Sequence, residues 1–181
     1  MNFSTLFRLE ENLNLDKKTL VFLRWIAISG QLVSINLVYF FLNLDFPIIK
    51  CHIIIFFGLF TNLILQFKIK DTLLKDLYSS SFLMYDILQL TTLLYLTGGI
   101  FNPFSILLIV PTIVSSTFLS MGSTIILGTL TIFILFFLTF FHLPLPGMEE
   151  YVSSFPSYYV TGILISLIIG LIFLSYFGIR F

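Results

Sequence analysis

Long apolar runs, each about the length of a membrane crossing and separated by short polar breaks, leave this chain few folds to adopt. A spanning helix needs about 20 consecutive, mostly apolar residues. Such runs are read from Thr19 to about Leu42, about Pro47 to Phe67, about Ser80 to Leu96, Pro103 to about Ser120, about Ser123 to His142, and about Tyr158 to Phe177. The runs are continuous rather than alternating, so the two-residue period of a membrane β-barrel is missing. The expectation is an all-α membrane protein, a bundle of six transmembrane helices preceded by an N-terminal segment, residues 1–18.

Composition agrees. Charged residues make up 10% of the chain, hydrophobic residues 58%, and the mean hydropathy is +1.07. Soluble domains carry about 25% charged residues, so there is too little charge here to coat a globular surface and the lipid bilayer is the expected solvent. A net charge of zero argues against nucleic acid as a partner. The lone Cys51 excludes an intrachain disulfide, and no CxxC motif is present, so neither a metal nor a redox centre is expected. Cys51 reads as an inert thiol embedded in lipid. The N-terminus mixes Arg8, Lys17 and Lys18 with Glu10, Glu11 and Asp16, and the apolar run that follows is too long for a signal peptide.

Helix breakers fall between the runs. They are Asn43 to Pro47, Lys68 to Ser79, Gly98-Gly99 with Asn102-Pro103, Met121-Gly122 as a very tight turn, and Pro144, Pro146, Gly147 and Pro156 in the longest late loop. With six crossings, Arg8, Lys17, Lys18, Lys68, Lys70, Lys75 and Arg180 share one side, while Lys50, Asp45, Glu149 and Glu150 lie near the other. Positive residues mark the cytoplasmic side, so both termini are expected there.

Within the runs stand polar groups that a membrane tolerates poorly. Asp86 lies about two turns inside the third run and Arg24 at a similar depth in the first. A charge at the bilayer centre costs about 2.5–3.5 kcal/mol on insertion scales. Either the two form an intramembrane pair, or Arg24 snorkels to phosphates while Asp86 stays protonated or wet at the interface. Gln31 and Gln89 extend the seam along the same faces, as interhelical glue or as a proton or ligand path. Pro111 is expected inside the fourth helix, freeing a carbonyl and kinking it, as shape alone or as a hinge. Gly162, Ser166 and Gly170 repeat at the spacing of close helix contacts, suiting packing within the bundle or a homodimer seam.

The segment Gly98-Gly99-Ile100-Phe101-Asn102-Pro103-Phe104 supports two readings. Glycine after a helix and Asn before Pro suit a tight extracytoplasmic turn. Exposed glycine N–H groups, the Asn102 amide and the flat faces of Tyr95, Phe101 and Phe104 suit a quinone ring, which needs donors and an apolar slot. Spacing does not choose between them.

This heptapeptide resembles the GGxxNPF motif of the RegB/PrrB/ActS redox-responsive sensor histidine kinases. The likeness extends to Thr19 through Gln31 with Arg24 and Trp25, to Asp86 through Gly99 with Gln89 and Tyr95, and to Phe141 through Pro146. The resemblance implies a six-helix sensory input domain in the bacterial inner membrane, working as a homodimer and sensing the redox state of ubiquinone. Gly98, Gly99, Asn102, Pro103 and Phe104 are then the quinone-binding residues. It implies a cytoplasmic module with a phosphoacceptor histidine and an ATP-binding domain, and a response regulator reached through it. The 181 residues contain no H-E-L-x-T-P box. His52 and His142 fall near the extracytoplasmic face. An input-domain fragment or a truncated relative, not catalytic alone, is therefore expected. A small quinone-binding membrane subunit or transporter without kinase output is the alternative, with Arg24 and Asp86 in proton coupling.

Overall fold

The computed structural model describes residues 15–70, 72–144 and 155–180, the last residue by its backbone. Arg8, most of the N-terminal segment, Pro146, Gly147, Glu149, Glu150 and the Arg180 side chain, all used in reading the loops or the orientation, lie outside the described residues.

Among the described residues six helices carry the fold, and all but the third begin where a short polar side chain closes the first turn or a proline opens it. Helix α1, Lys17–Asn36, is capped by Asp16, whose carboxylate accepts from the Thr19 N–H at 3.3 Å. It starts two residues ahead of the Thr19 expected from hydropathy, because the cap rather than the first apolar residue sets the boundary. It runs on through a π-helical turn, Leu37–Phe41, closed by Leu42 N–H donating to the Leu37 carbonyl at 3.2 Å. Helix α2, Ile48–Lys68, follows Pro47. Helix α3, Asp76–Leu96, begins one turn before the expected Ser80. The hydroxyls of Ser80 and Ser81 donate back to the Leu77 carbonyl at 3.1 and 2.7 Å, so this serine-rich stretch satisfies itself and continues the helix.

The fourth crossing is built differently. Its first half is a 3-10 helix, Pro103–Ile109, and only its second half, α4, Val110–Phe118, is α-helical. A 3-10 helix rises about 2.0 Å per residue against 1.5 Å for an α-helix. The seven 3-10 and nine α residues therefore reach about 27 Å, close to the thickness of a hydrocarbon core, about 30 Å. Pro111 corrects an expectation. It stands at the start of α4, not in its interior. The Leu107 carbonyl is already taken by Val110 N–H, so the proline marks the junction between two helix types and orphans no acceptor there.

Helix α5, Met121–Phe140, also starts two residues early, because Ser120 accepts from Ser123 N–H at 3.2 Å. Met121 and Gly122 thus belong to the first turn of α5, and the tight turn expected at them lies at Leu119–Ser120. Helix α6 spans Ser157–Arg180. By length and composition alone, Lys17–Phe41, Ile48–Lys68, Met121–Phe140 and Ser157–Ile179 qualify as membrane spans. Helix α3 is long enough but carries Asp76, Asp86 and Gln89, and the fourth crossing is short.

The exterior is apolar. Phe40, Ile49, Phe133, Ile169 and Phe173 are all more than 60% exposed, along nearly every helix. Water-soluble monomers rarely carry so continuous an apolar cover. Two buried clusters lie inside. The larger joins Leu20, Leu65, Leu83, Ile87, Leu94, Leu108, Leu135 and Leu164; the smaller joins Ile28, Ile35, Phe46, Cys51, Ile55 and Leu96. Cys51 is fully buried in the smaller cluster, so it packs against protein rather than lipid as expected from the sequence.

Helix α1 packs on α2, α2 on α3, α3 on α4 and α5, and α4, α5 and α6 on one another. Hydroxyls stitch α4 to α5, with Thr112 to Thr131 at 3.0 Å and Ser115 to Thr124 at 3.1 Å. Gly178 of α6 fits so closely against Ser116 and Thr117 of α4 that a Cβ there would collide with the Ser116 hydroxyl. A Cβ on Gly162 or Gly170 would meet nothing within 4 Å, and Ser166 is exposed. Among the described residues, nothing packs closely on that small-residue stripe.

One end of the bundle gathers the lysines. Lys17 Nζ donates to the Ile69 carbonyl at 2.8 Å, and Lys17 N–H to the Thr72 carbonyl at 2.9 Å. At this end Asp76 accepts from Ser120 N–H at 2.7 Å and from the Ser120 and Ser123 hydroxyls, tying α3 to the turn before α5. At the other end Leu143 N–H donates to the Tyr95 carbonyl at 2.8 Å.

Candidate ligand-binding groove

Helix α1 leans on α2 and leaves its other face standing off from α3 and α4. Along that face come Arg24, Ala27, Gly30 with Gln31, and Ser34, about one turn between each, with small side chains between the long ones. A Cβ on Gly30 would meet nothing within 4 Å. The result is an apolar groove of about 420 Å³ walled by α1, α3, the start of the fourth crossing and α4. That volume lies in the ordinary range for small-molecule sites, about 300–1,000 Å³. It extends along α3 from Leu83 to Thr97, about 20 Å of helix.

Arg24 and Asp86 line it toward the lysine end. Arg24 Nε donates to Asp86 Oδ1 at 2.9 Å, and Nη2 lies 2.9 Å from the same oxygen. Nη2 also donates to Thr61 Oγ1 at 2.8 Å, and that hydroxyl donates to the Gly58 carbonyl at 2.9 Å. The guanidinium lies 5.1 Å from the Phe82 ring centroid and 5.6 Å from that of Tyr85, within cation–π range. Its Nη1 is buried with no partner among the described residues. The geometry is that of an intramembrane ion pair between α1 and α3, not of an arginine reaching out to phosphates. Further along, Gln89 Nε2 donates to Gln31 Oε1 at 2.9 Å, again joining α3 to α1. Gly58 of α2 backs this bond so closely that a Cβ there would collide with the Gln89 amide.

The Gly98–Phe104 loop forms the far end. Gly98 and Gly99 have φ of 107° and 58°, a backbone that disfavours any residue with a Cβ. At Gly99 a Cβ would stand 2.5 Å from His142 Cγ. Asn102 accepts from Phe104 N–H at 2.9 Å, and its amide donates to the Thr97 carbonyl at 3.0 Å and the Thr97 hydroxyl at 2.8 Å. Pro103 opens the 3-10 helix that follows. The glycines and Asn102 are thus committed to the turn, and both amide protons of Asn102 are already spent inside it.

The flat faces divide. Tyr95 stacks on Phe137 with centroids 6.4 Å apart, and Phe101 on Phe155 at 6.2 Å, both directed to α5 and to the segment before α6. Phe104 and Asn102 line the groove; Gly98, Gly99 and Pro103 shape the loop without lining it. The sequence thus suggests two separate features, a polar pair and a loop, and folding puts both on one cavity. Two residues escape the sequence reading. Thr61, a second partner of Arg24, gives no signal. Thr97, which holds Asn102, stands beside Gly98-Gly99 as an ordinary helix end.

The model of the PilS-like transmembrane domain matches residues 8–178 of this chain. The sensor histidine kinase RegB of Cereibacter sphaeroides is 33% identical over 164 residues, covering 90% of this chain and 36% of that protein. The chain therefore spans little more than a third of that relative's length. No solved structure matches. Six helices with an apolar exterior, matched by that family model over nearly their whole length, establish that the chain belongs to the PilS-like transmembrane domain family, as a multi-pass membrane domain related to that of a RegB-type sensor kinase.

Proposed function

We propose that this domain is the sensory input module of a two-component histidine kinase and that it senses ubiquinone in the groove between α1, α3 and α4. The observation that carries the reading is the groove itself. It is apolar, of ligand size, and bounded at one end by Asn102 and Phe104 of the GGxxNPF segment. The kinship with RegB supports a signalling role. The residues fit the ligand class: Phe104 offers a flat wall at the mouth, and the apolar walls between Leu90 and Leu107 suit an isoprenoid tail. Gly98, Gly99, Asn102 and Pro103 belong to the site by holding that mouth in shape.

A route to an output is present. Helix α4 lines the groove with Val110, Pro111 and Val114, while Ser116 and Thr117 pack against Gly178 near the end of α6. A ligand that widens or narrows the groove shifts α4, and α4 cannot shift without moving α6. Such a shift is limited by the ligand's differential affinity for the two arrangements. In this reading the lysine end and both termini face the cytoplasm of a bacterial inner membrane. The outward stripe Gly162, Ser166 and Gly170 forms a homodimer seam, and α6 leads to a kinase module that phosphorylates a response regulator.

The test is a titration of ubiquinone into the domain in nanodiscs, followed by quenching of Trp25, the single tryptophan, which adjoins Arg24 on α1. Saturable quenching is expected, weakened several-fold in Phe104→Ala and Asn102→Ala. Quenching that rises linearly and equally in all three proteins, as for partition into empty nanodiscs, would refute the reading.

A further inference from the structure

Away from the groove, four exposed lysines gather at one end of the bundle. Lys18 stands in the first turn of α1, Lys68 ends α2, Lys70 lies in the link that follows, and Lys75 immediately precedes α3. None of the four makes an ion pair or a hydrogen bond among the described residues. The described acids of this end are engaged elsewhere: Asp16 caps α1 through Thr19, and Asp76 accepts from Ser120 and Ser123. Asp71 lies outside the described residues. Lys18 and Lys75 also stand at helix N-termini, where positive charge is disfavoured. The lysines are carried on a folded platform. Asp16 and Leu73 form an isolated antiparallel bridge, with Lys17 N–H donating to the Thr72 carbonyl at 2.9 Å and Leu74 N–H to the Leu15 carbonyl at 3.2 Å. Leu15 and Leu74 are buried in it, and Lys17 Nζ fastens the end of α2 through the Ile69 carbonyl at 2.8 Å. Next to the lysines in sequence, Phe67, Leu73, Leu77 and Tyr78 are each more than half exposed. Lys50 is the one described lysine of the other end.

We infer that this platform is a seat for anionic phospholipid, with Lys18, Lys68, Lys70 and Lys75 taking the headgroup phosphate and Phe67, Leu73, Leu77 and Tyr78 the start of the acyl chains. The inference stands independently of the quinone reading. Charge and apolar surface together select the occupant. A small soluble anion or an acidic protein segment would satisfy the ammonium groups but leave the four apolar side chains in water; a phospholipid satisfies both. Tyr78 suits the same depth, since an amphipathic ring settles at the level of the headgroups. The backbone bridge between residues 15–17 and 72–74 holds the ends of α1, α2 and α3 together, so a lipid that spans these lysines fastens the same three ends from outside.

Trp25 is a built-in reporter of this face, since its Nε1 donates at 3.3 Å to Oε1 of Gln66, two residues before Lys68. The domain is placed in vesicles of phosphatidylcholine and phosphatidylglycerol, with one or the other lipid brominated on its acyl chains, and the quenching of Trp25 by each gives their relative occupancy. Wild type is expected to prefer the anionic lipid about tenfold, the worth of one to two lysines at an anionic surface, and to lose most of that preference in about 0.5 M salt. The combined variant Lys18→Gln, Lys68→Gln, Lys70→Gln and Lys75→Gln brings the ratio near one, whereas Lys50→Gln keeps it. Circular dichroism confirms that each variant is folded; should the combined variant fail to fold, Lys68→Gln with Lys70→Gln serves instead, lowering the preference to about threefold. A ratio near one in wild type, or an undiminished preference in the folded lysine variant, overturns the inference. So does an equal loss in Lys50→Gln, which would make the preference one of net charge alone. Loss of the preference on adding soluble polyglutamate would assign the platform to an acidic protein segment and also overturn it.

Discussion

Neutralising the Arg24–Asp86 pair one partner at a time should cost more than neutralising both. Arg24 is 3% exposed and Asp86 23%, and the guanidinium donates one short hydrogen bond to Asp86 and one to Thr61, with a second nitrogen 2.9 Å from the same Asp86 oxygen. Breaking a buried pair by removing one partner costs about 3–5 kcal/mol, because the survivor remains charged and unpaired. Asp86→Asn leaves the enclosed guanidinium with only the Thr61 bond and an amide oxygen, so about 3 kcal/mol is expected. Arg24→Gln leaves a carboxylate that opens on the groove and draws on polar groups there, so about 2 kcal/mol is expected. The double variant places two amides at hydrogen-bonding distance with no charge left over, and about 1–2 kcal/mol remains, mainly the lost bond to Thr61. The cycle therefore has a coupling of about 3 kcal/mol, well above the 0.5 kcal/mol within which independent sites add. The assay is reversible unfolding in mixed micelles with increasing dodecyl sulfate, followed by circular dichroism. A double variant whose loss equals the sum of the single losses would refute the reasoning and return Arg24 to a solvated or lipid-paired state.

Two further outcomes follow from the same structure. Gly98→Ala should lower stability by about 1–2 kcal/mol, since φ of 107° lies where a Cβ is strained; a thermal melt coincident with wild type would mean that the loop does not need this backbone. Asp76→Ala should cost about 1–2 kcal/mol by removing the acceptor for Ser120 N–H and two hydroxyls, whereas Asp76→Asn keeps one acceptor and should lose less; equal losses in the same unfolding assay would show that the charge, not the acceptor geometry, ties α3 to α5.

Much of this protein was legible in its order of residues. A run of about twenty apolar residues has one stable form in lipid, because only a helix satisfies its own backbone there. The six crossings could therefore be read from hydropathy, and their ends misplaced only by a turn or less, where Asp16 and Ser120 cap a helix ahead of its first apolar residue. Local chemistry likewise announced the loop, since Gly-Gly and Asn-Pro each have a backbone they suit, and the isolated charges Arg24 and Asp86 stood out because lipid makes them costly. The tertiary structure decided what these features are for. Whether Pro111 kinks a helix or joins a 3-10 to an α segment depends on how far the fourth crossing must reach. Whether Asn102 offers its amide or spends it depends on where Thr97 ends α3. Whether Gly162 and Gly170 face the bundle or open space depends on which face of α6 meets α4. The groove has no local code at all. It exists because α1 leans on α2 and leaves α3 and α4 uncovered, and that choice is made by contacts between residues far apart in the chain, which no single run of sequence contains.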